Sequence, residues 1–436
     1  MRCPPSAVSA ARRPHRTRWR AGLLLLAGTL LPAAQAASPL ATDQALPTAS
    51  ANAGKVGTYR VASATPDIAY HVCVGRLDAN RPIGVHVFHH GLGGKSMAGN
   101  FMLWMPLLQA GNLIGINMEY GDNNPHEEMA AKAAAARAAV AQVVADYPAV
   151  VPGLGAMTAF SAGGSPAGAW FGARGKTATA YGLDWPFCQM NVFGSSLNAG
   201  PEITLLPCSW YRAMGSGEEQ MAPGLSAYFL RSTQTNLKDP SPMACPDAYV
   251  AITQGRGHTI LPTEVAQAGE IFARSSLMIG PFLRADAYHA SLRPAIAHAN
   301  TCRMGEALRV LTTPPAGAPA DQVAALRTRI QDRLNARVAA CIALATNDPA
   351  MAEAYSRLIL AQCQGLATLK AIETALAPVQ KTAAQMQPLR SAWAESLPGF
   401  FAKGAITDTA RPLLYQFIAR SGTHSAIGTQ AARFLK

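Results

Sequence analysis

Gly155-Ala-Met-Thr-Ala-Phe160-Ser161-Ala-Gly-Gly164 begins as a short apolar run and breaks off at a serine set among the smallest residues. Gly155–Phe160 has strand length, and Ala162–Gly172 resumes at helical spacing, so Ser161 falls on a strand-to-helix turn. A sharp turn there demands small neighbours, which accounts for Ala159, Ala162 and Gly163. The same letters also suit an ordinary turn with a capping serine. Ser165 is a second hydroxyl close by, but Pro166 follows it inside the expected helix start.

Outward from that turn, residues 57–282 alternate short apolar runs with helical segments, the pattern of an α/β domain with a mostly parallel sheet. Ile83–Phe88 reads as a strand that stops at His89-His90-Gly91, followed by a helix over Ser96–Leu108 and a strand over Leu113–Glu119. Asn124-Pro125 with Glu127 and Glu128 reads as a helix start: a polar cap, proline at the first position, acids in the first turn. That Ala-rich helix is expected to run to about Ala145. Further strands are expected at Met190–Phe193, Leu225–Arg231 and Ala248–Thr253. Beyond residue 282 strand signals disappear, and Ala, Leu, Gln and Arg recur at helical spacing around the Pro-rich stretch Thr312–Pro319. Residues 283–436 are therefore expected to form an all-helical extension or cap.

The chain has 436 residues, 49% of them hydrophobic and 14% charged, enough apolar material for a sizeable core. Its formal charge of +12 is concentrated at the start: Arg2, Arg12, Arg13, Arg16, Arg18 and Arg20 precede the apolar run at 21–31, and residues 1–36 carry no acid. Basic stretch, short apolar stretch and Ala34-Gln35-Ala36 together read as a secretory signal peptide, with 37–56 as a flexible leader. The remainder has thirty-one basic against twenty-five acidic residues and no basic run to track phosphates, so nucleic-acid binding is not expected. No later stretch is apolar for the roughly 20 residues a membrane span requires. A secreted or periplasmic location follows as an expectation. Cys73, Cys188, Cys208, Cys245, Cys302, Cys341 and Cys363 remain after the signal, an odd number that allows at most three disulfides and leaves one thiol.

Three short motifs carry the chemistry. Besides Ala159-Phe-Ser161-Ala-Gly163, they are His89-His-Gly91-Leu92-Gly-Gly94 after the strand Ile83–Phe88, and Gly255-Arg-Gly257-His258-Thr259 after the last expected strand. In this order they resemble the α/β-hydrolase superfamily, in style the secreted esterases, including feruloyl esterases and polyhydroxyalkanoate depolymerases. The resemblance covers roughly residues 57–282; Ala159 stands where the family's G-x-S-x-G pattern has its first glycine. It implies Ser161 as nucleophile and His258 as base, with the Leu92 and Ala162 backbone amides holding the oxyanion. The implied reaction is hydrolysis of a carboxylic ester through an acyl-enzyme, on a small-molecule or polymeric substrate, without cofactor or metal.

The triad acid has six candidates between Ser161 and His258: Asp184, Glu202, Glu218, Glu219, Asp239 and Asp247. It must stand at the carboxyl end of a strand. Asp247 precedes its strand, whereas Asp239 follows Leu225–Arg231 and is preferred, with Glu202 after Met190–Phe193 next. Downstream, His289, His298 and His424 fall in helical segments and are poorer bases. Gly94-Lys95-Ser96 lacks the glycine at position 89 that a phosphate-binding loop requires. His89, His90 and His126 with Asp122 contain metal-ligating types, but adjacent residues at a strand end point apart. A serine peptidase of the same fold, or a non-catalytic hydrolase-fold binding protein, fits the same motifs.

Overall fold

The computed structural model describes residues 57–94, 101–122, 124–173, 187–194, 208–215, 248–253, 257–280, 282–347 and 349–381. The backbone divides after Ala37 into two compact units. The first, and with it the expected signal peptide, lies outside the described residues; all elements below belong to the second.

Eight strands form one sheet: β1 (Gly57–Ala62), β2 (Ile68–Val74), β3 (Ile83–His89), β4 (Leu113–Tyr120), β5 (Val150–Phe160), β6 (Gln189–Phe193), β7 (Ser209–Gly215) and β8 (Ala248–Thr253). Their order is β1-β2-β4-β3-β5-β6-β7-β8. β1 and β2 run antiparallel, and every pairing from β4 to β8 is parallel. This is the α/β-hydrolase sheet, as the motifs led one to expect. β3 is buried along its whole length, as is usual for a parallel strand covered on both faces.

Helices α2 (Met129–Asp146) and α3 (Gly164–Ala173) cover one face, where Ala133, Ala136, Ala139 and Val143 pack on Val85, Ile116 and Met157. The alanines favour the helix and let it lie close to the sheet. On the other face, Trp104 of α1 (Phe101–Gly111) and Phe272 of α4 (Pro262–Met278) pack with Phe88 and Phe193. Under these helices runs a buried polar line. The Gln189 amide donates to Asn191 Oδ1 (2.7 Å) and to the Ala268 carbonyl (2.8 Å), and the Asn191 amide donates to Thr158 Oγ1 (3.1 Å). Thr158 Oγ1 in turn lies 2.7 Å from His86 Nε2. Each bond satisfies a group that would otherwise be costly in an apolar interior.

The chain then continues as helices: α5 (Arg293–Asn300), α6 (Met304–Thr312), α7 (Ala320–Asn347), α8 (Pro349–Gln362) and α9 (369–381). The helical extension is therefore present, and it shares a core with the sheet: Leu334, Tyr355 and Leu358 belong to the same apolar cluster as Phe88 and Trp104. The buried Arg337 guanidinium ties α7 to the end of α4 by donating to the carbonyls of Leu277 (2.8 Å) and Gly280.

Three expectations change. The helix expected from Asn124 starts at Met129, with Glu128 left-handed before it. The Lys132 ammonium is buried and donates to Asp122 Oδ2 (2.6 Å) and to the carbonyls of Asn124 (2.7 Å) and Glu127 (2.9 Å), holding those residues in a turn. Ser209–Gly215 form the inner strand β7, where no strand was expected. The strand expected at Leu225–Arg231 lies outside the described residues. Disulfides involving Cys73, Cys188, Cys208, Cys302, Cys341 or Cys363 are overturned: all six are buried and none is joined in a disulfide, and Cys245 lies outside the described residues. They fill core positions as small apolar groups, and desolvation pushes Cys188, Cys341 and Cys363 up to about 12. Among the described residues, no helix is long and apolar enough to cross a membrane.

Candidate active site

Phe160 leaves β5 extended (φ −117°, ψ 129°), and Ser161 then turns to φ 51°. A side chain in that left-handed region crowds its own backbone, at a cost of roughly 1–2 kcal/mol. Such positions persist where the surroundings over-determine them, and they gather at functional sites. A 3-10 turn, Ser161–Gly163, leads straight into α3. The half-buried serine thus stands at a strand's carboxyl end, where a helix begins.

The small residues around it answer close backbone approaches. A Cβ on Gly163 would lie 2.2 Å from the His89 carbonyl oxygen and 2.7 Å from that of His90. The end of β3 and the helix start touch there, and only glycine fits. A Cβ on Gly91 would meet Ser161 Cβ and Phe160 Cδ1, each at 3.0 Å. The glycine loop after β3 therefore lies directly against the serine. It closes as a turn, with the Gly94 N–H on the Gly91 carbonyl (3.1 Å) and Gly93 at φ 73°. Leu92, inside that turn, turns its side chain outward and is 65% exposed, while Ala162 is buried.

His258 reaches the same place from the loop between β8 and α4. Its exposed ring stacks on Phe160, centroids 4.9 Å apart and planes 28° from parallel. Pro262 starts α4 soon after, and Glu264 accepts the Leu261 N–H at 3.2 Å, fixing where the loop ends. Ser161, Leu92, Ala162 and His258 thus gather at the carboxyl ends of β3, β5 and β8. Asp239 and the alternatives Asp184, Glu202, Glu218, Glu219 and Asp247 lie outside the described residues. With β7 at Ser209–Gly215, Glu218, Glu219 and Asp239 all fall in its connection to β8.

The carboxyl end of β4 supplies a wall that the motifs did not announce. Tyr120 Oη lies 2.6 Å from His89 Nδ1, and its ring is 4.9 Å from that of His90. Past the turn held by Lys132, His126 Nδ1 lies 2.8 Å from Ser165 Oγ, four residues beyond Ser161. The signal available was positional: loops leaving the carboxyl ends of parallel strands line the sites of such sheets. Burial lowers His86 and His89 to about 3 and also lowers His90, so these rings are neutral near pH 7. His89, His90 and His126 are engaged separately, by Tyr120, the Gly91 carbonyl and Ser165. Among the described residues no three His, Cys, Asp or Glu side chains are grouped as a metal would require.

No family model and no curated protein matches the chain. Solved structures similar to it include a thermostable carboxylesterase from a metagenomic library, at 13% identity and a TM-score of 0.36 over 50% of this chain and 88% of that one. A hyperthermophilic esterase from the archaeon Pyrobaculum calidifontis is 14% identical, with a TM-score of 0.37 over 52% and 86%. An esterase of the bacterial hormone-sensitive lipase family is 14% identical, with a TM-score of 0.35 over 50% and 84%. These names are esterases, but not the feruloyl esterases or polyhydroxyalkanoate depolymerases the motifs suggested. Likenesses of that size add no weight: the fold rests on the strand order and the chemistry on the turn at Ser161.

Proposed function

We propose that this protein is a serine hydrolase of carboxylic esters. The observation that carries the reading is the left-handed serine at the β5–α3 turn, with Gly91 packed on its Cβ and His258 stacked on the preceding residue. The Ser161 hydroxyl attacks the ester carbonyl carbon while His258 takes its proton. Oxygen becomes an oxyanion held by the Leu92 and Ala162 amides, and preorganised donors of this kind lower the barrier by roughly 3–4 kcal/mol each. Collapse breaks the bond to the alkoxy group, which leaves as an alcohol with the proton from His258. Water, deprotonated by His258, then attacks the acyl-serine and releases the acid. Asp239 is the proposed partner that orients and stabilises the imidazolium. The basic and apolar opening at 1–36 supports an exported protein, acting in the periplasm or outside the cell.

Hydrolysis of nitrophenyl esters compared with aminoacyl nitroanilides tests the substrate class. Turnover of the esters with little or none of the anilides is expected. Faster cleavage of the anilides would make the protein a peptidase.

A further inference from the structure

His126 stands beside Ser165 with no part in the acyl transfer, yet the turn that carries it is held by more bonds than an exposed loop needs. Lys132, buried in α2, donates to Asp122 Oδ2 and to the carbonyls of Asn124 and Glu127. A buried ammonium is costly unless its protons are satisfied, and these acceptors satisfy them. Asn124 adds a second layer. Its N–H donates to Asp122 Oδ1 (3.0 Å), its amide donates to Glu127 Oε1 (2.7 Å), and its Oδ1 accepts the His126 N–H (3.2 Å). The His126 ring at the end of this turn is exposed, and Ser165 Oγ fixes it through Nδ1 at 2.8 Å. Its other nitrogen, Nε2, makes no hydrogen bond among the described residues. A side chain locked by its supporting shell with one polar atom left over is how a binding group is preorganised.

Ser165 lies one helical turn beyond Ser161, roughly 5–6 Å away, so the ring borders the space above the nucleophile. With the Ser165 hydroxyl donating to Nδ1, the ring proton sits on Nε2 and offers a donor. Sheet order decides which half of a substrate meets it. His126 follows β4, His258 follows β8, and β5 with Ser161 at its end runs between them. The alcohol leaves on the His258 side, because that ring protonates it, and the acyl chain extends toward His126. The turn carries the carboxylates of Asp122, Glu127 and Glu128 against the one ammonium of Lys132, a field that repels anions. We propose, resting on the serine esterase reading, that His126 is a specificity-determining residue whose Nε2 donates to an uncharged oxygen on the acyl chain. The preferred substrates are then esters of oxygen-bearing acids, such as a hydroxy acid or the half-ester of a diacid. Water can replace that oxygen at an exposed ring, so one such bond selects by about five- to tenfold.

The test on the whole chain is kcat/KM for the nitrophenyl esters of monomethyl succinate, monomethyl glutarate and monomethyl adipate. Each is divided by the value for nitrophenyl hexanoate and corrected for the esters' alkaline hydrolysis rates. The wild type should prefer at least one of the three by about five- to tenfold. In His126→Phe, which keeps a flat ring and loses the donor, that preference should disappear. His126→Gln, whose amide carries an N–H close to the place of Nε2, should restore part of it. Thermal melts confirm the fold of both variants. Hexanoate turnover without any preference in the wild type would overturn the proposal and leave the esterase reading standing. Equal slowing of all four esters in His126→Phe, with the preference kept, would do the same and reduce His126 to a pin for its turn. Turnover of none of the four esters would overturn both.

Discussion

The ring of His258 lies on the ring of Phe160, the residue that delivers Ser161 to its turn. One side chain thus connects the strand that carries the hydroxyl with the loop that carries the imidazole. An aromatic stack of this kind contributes about 0.5–1.5 kcal/mol. Phe160→Ala should therefore lower kcat/KM about tenfold by loosening His258, while Phe160→Tyr keeps most of the rate. Steady-state kinetics on a nitrophenyl ester would read this; an unchanged rate in Phe160→Ala would mean that the stack does not seat the base.

Ser161 itself stores strain. At φ 51° an alanine keeps the crowding of a Cβ, and a glycine removes it. Ser161→Gly and Ser161→Ala should both be inactive, with the glycine variant about 1 kcal/mol more stable in urea unfolding. Equal stability would show that the turn is relaxed.

The acid can be assigned by substitution of the carboxylates that follow β6 and β7 along the chain. Asp239→Asn should reduce kcat by about a thousandfold or more, as loss of the carboxylate that orients a catalytic histidine does. Glu202→Gln, Glu218→Gln and Glu219→Gln should each stay within a few-fold of wild type. A collapse in one of those three, with Asp239→Asn active, would move the role to that residue.

His86 and His89 predict an acid-sensitive fold. Desolvation lowers both to about 3 in the folded chain, against an ordinary value of 6.5. Between those values the unfolded chain binds protons that the folded chain refuses, so stability rises with pH. It is fully present above about 6.5 and is lost as the pH falls toward 3. Denaturant melts from pH 7 to 5, above most carboxylate titration, should show this decline, and His86→Asn should make it shallower. An unaltered slope in that variant would remove His86 from the account.

How far the sequence carried the reading depended on how local each cause is. β3, β4, β5 and β6 stand out because parallel strands buried on both faces read as apolar runs, β8 through its run of alternating small and β-branched residues, and the Ser161 turn through its small residues. β1 was not legible: its exposed and half-buried residues alternate, and its Arg60 is held by Glu119 of β4 (3.0 Å), a partner far along the chain. β7 was hidden by Arg212, a buried charge in mid-strand that reads as loop until a fold surrounds it. The helix start at Asn124 had correct capping letters, yet Lys132, reaching back from inside α2, fixed those residues as a turn. Cysteine number gave no pairing, because a buried thiol and half a disulfide look alike in a sequence. Tyr120 and His126 entered the site through sheet order, which no single stretch of chain contains.

Covalent labelling with a fluorophosphonate probe, mapped by peptide mass spectrometry, asks most directly whether a base-activated hydroxyl exists at the β5–α3 turn. One phosphonyl group per folded chain on the peptide containing Ser161, absent in Ser161→Ala and slowed at least a hundredfold in His258→Ala, is the result expected. Folded wild-type protein that stays unlabelled, or that carries the label at Ser165 instead, would contradict it.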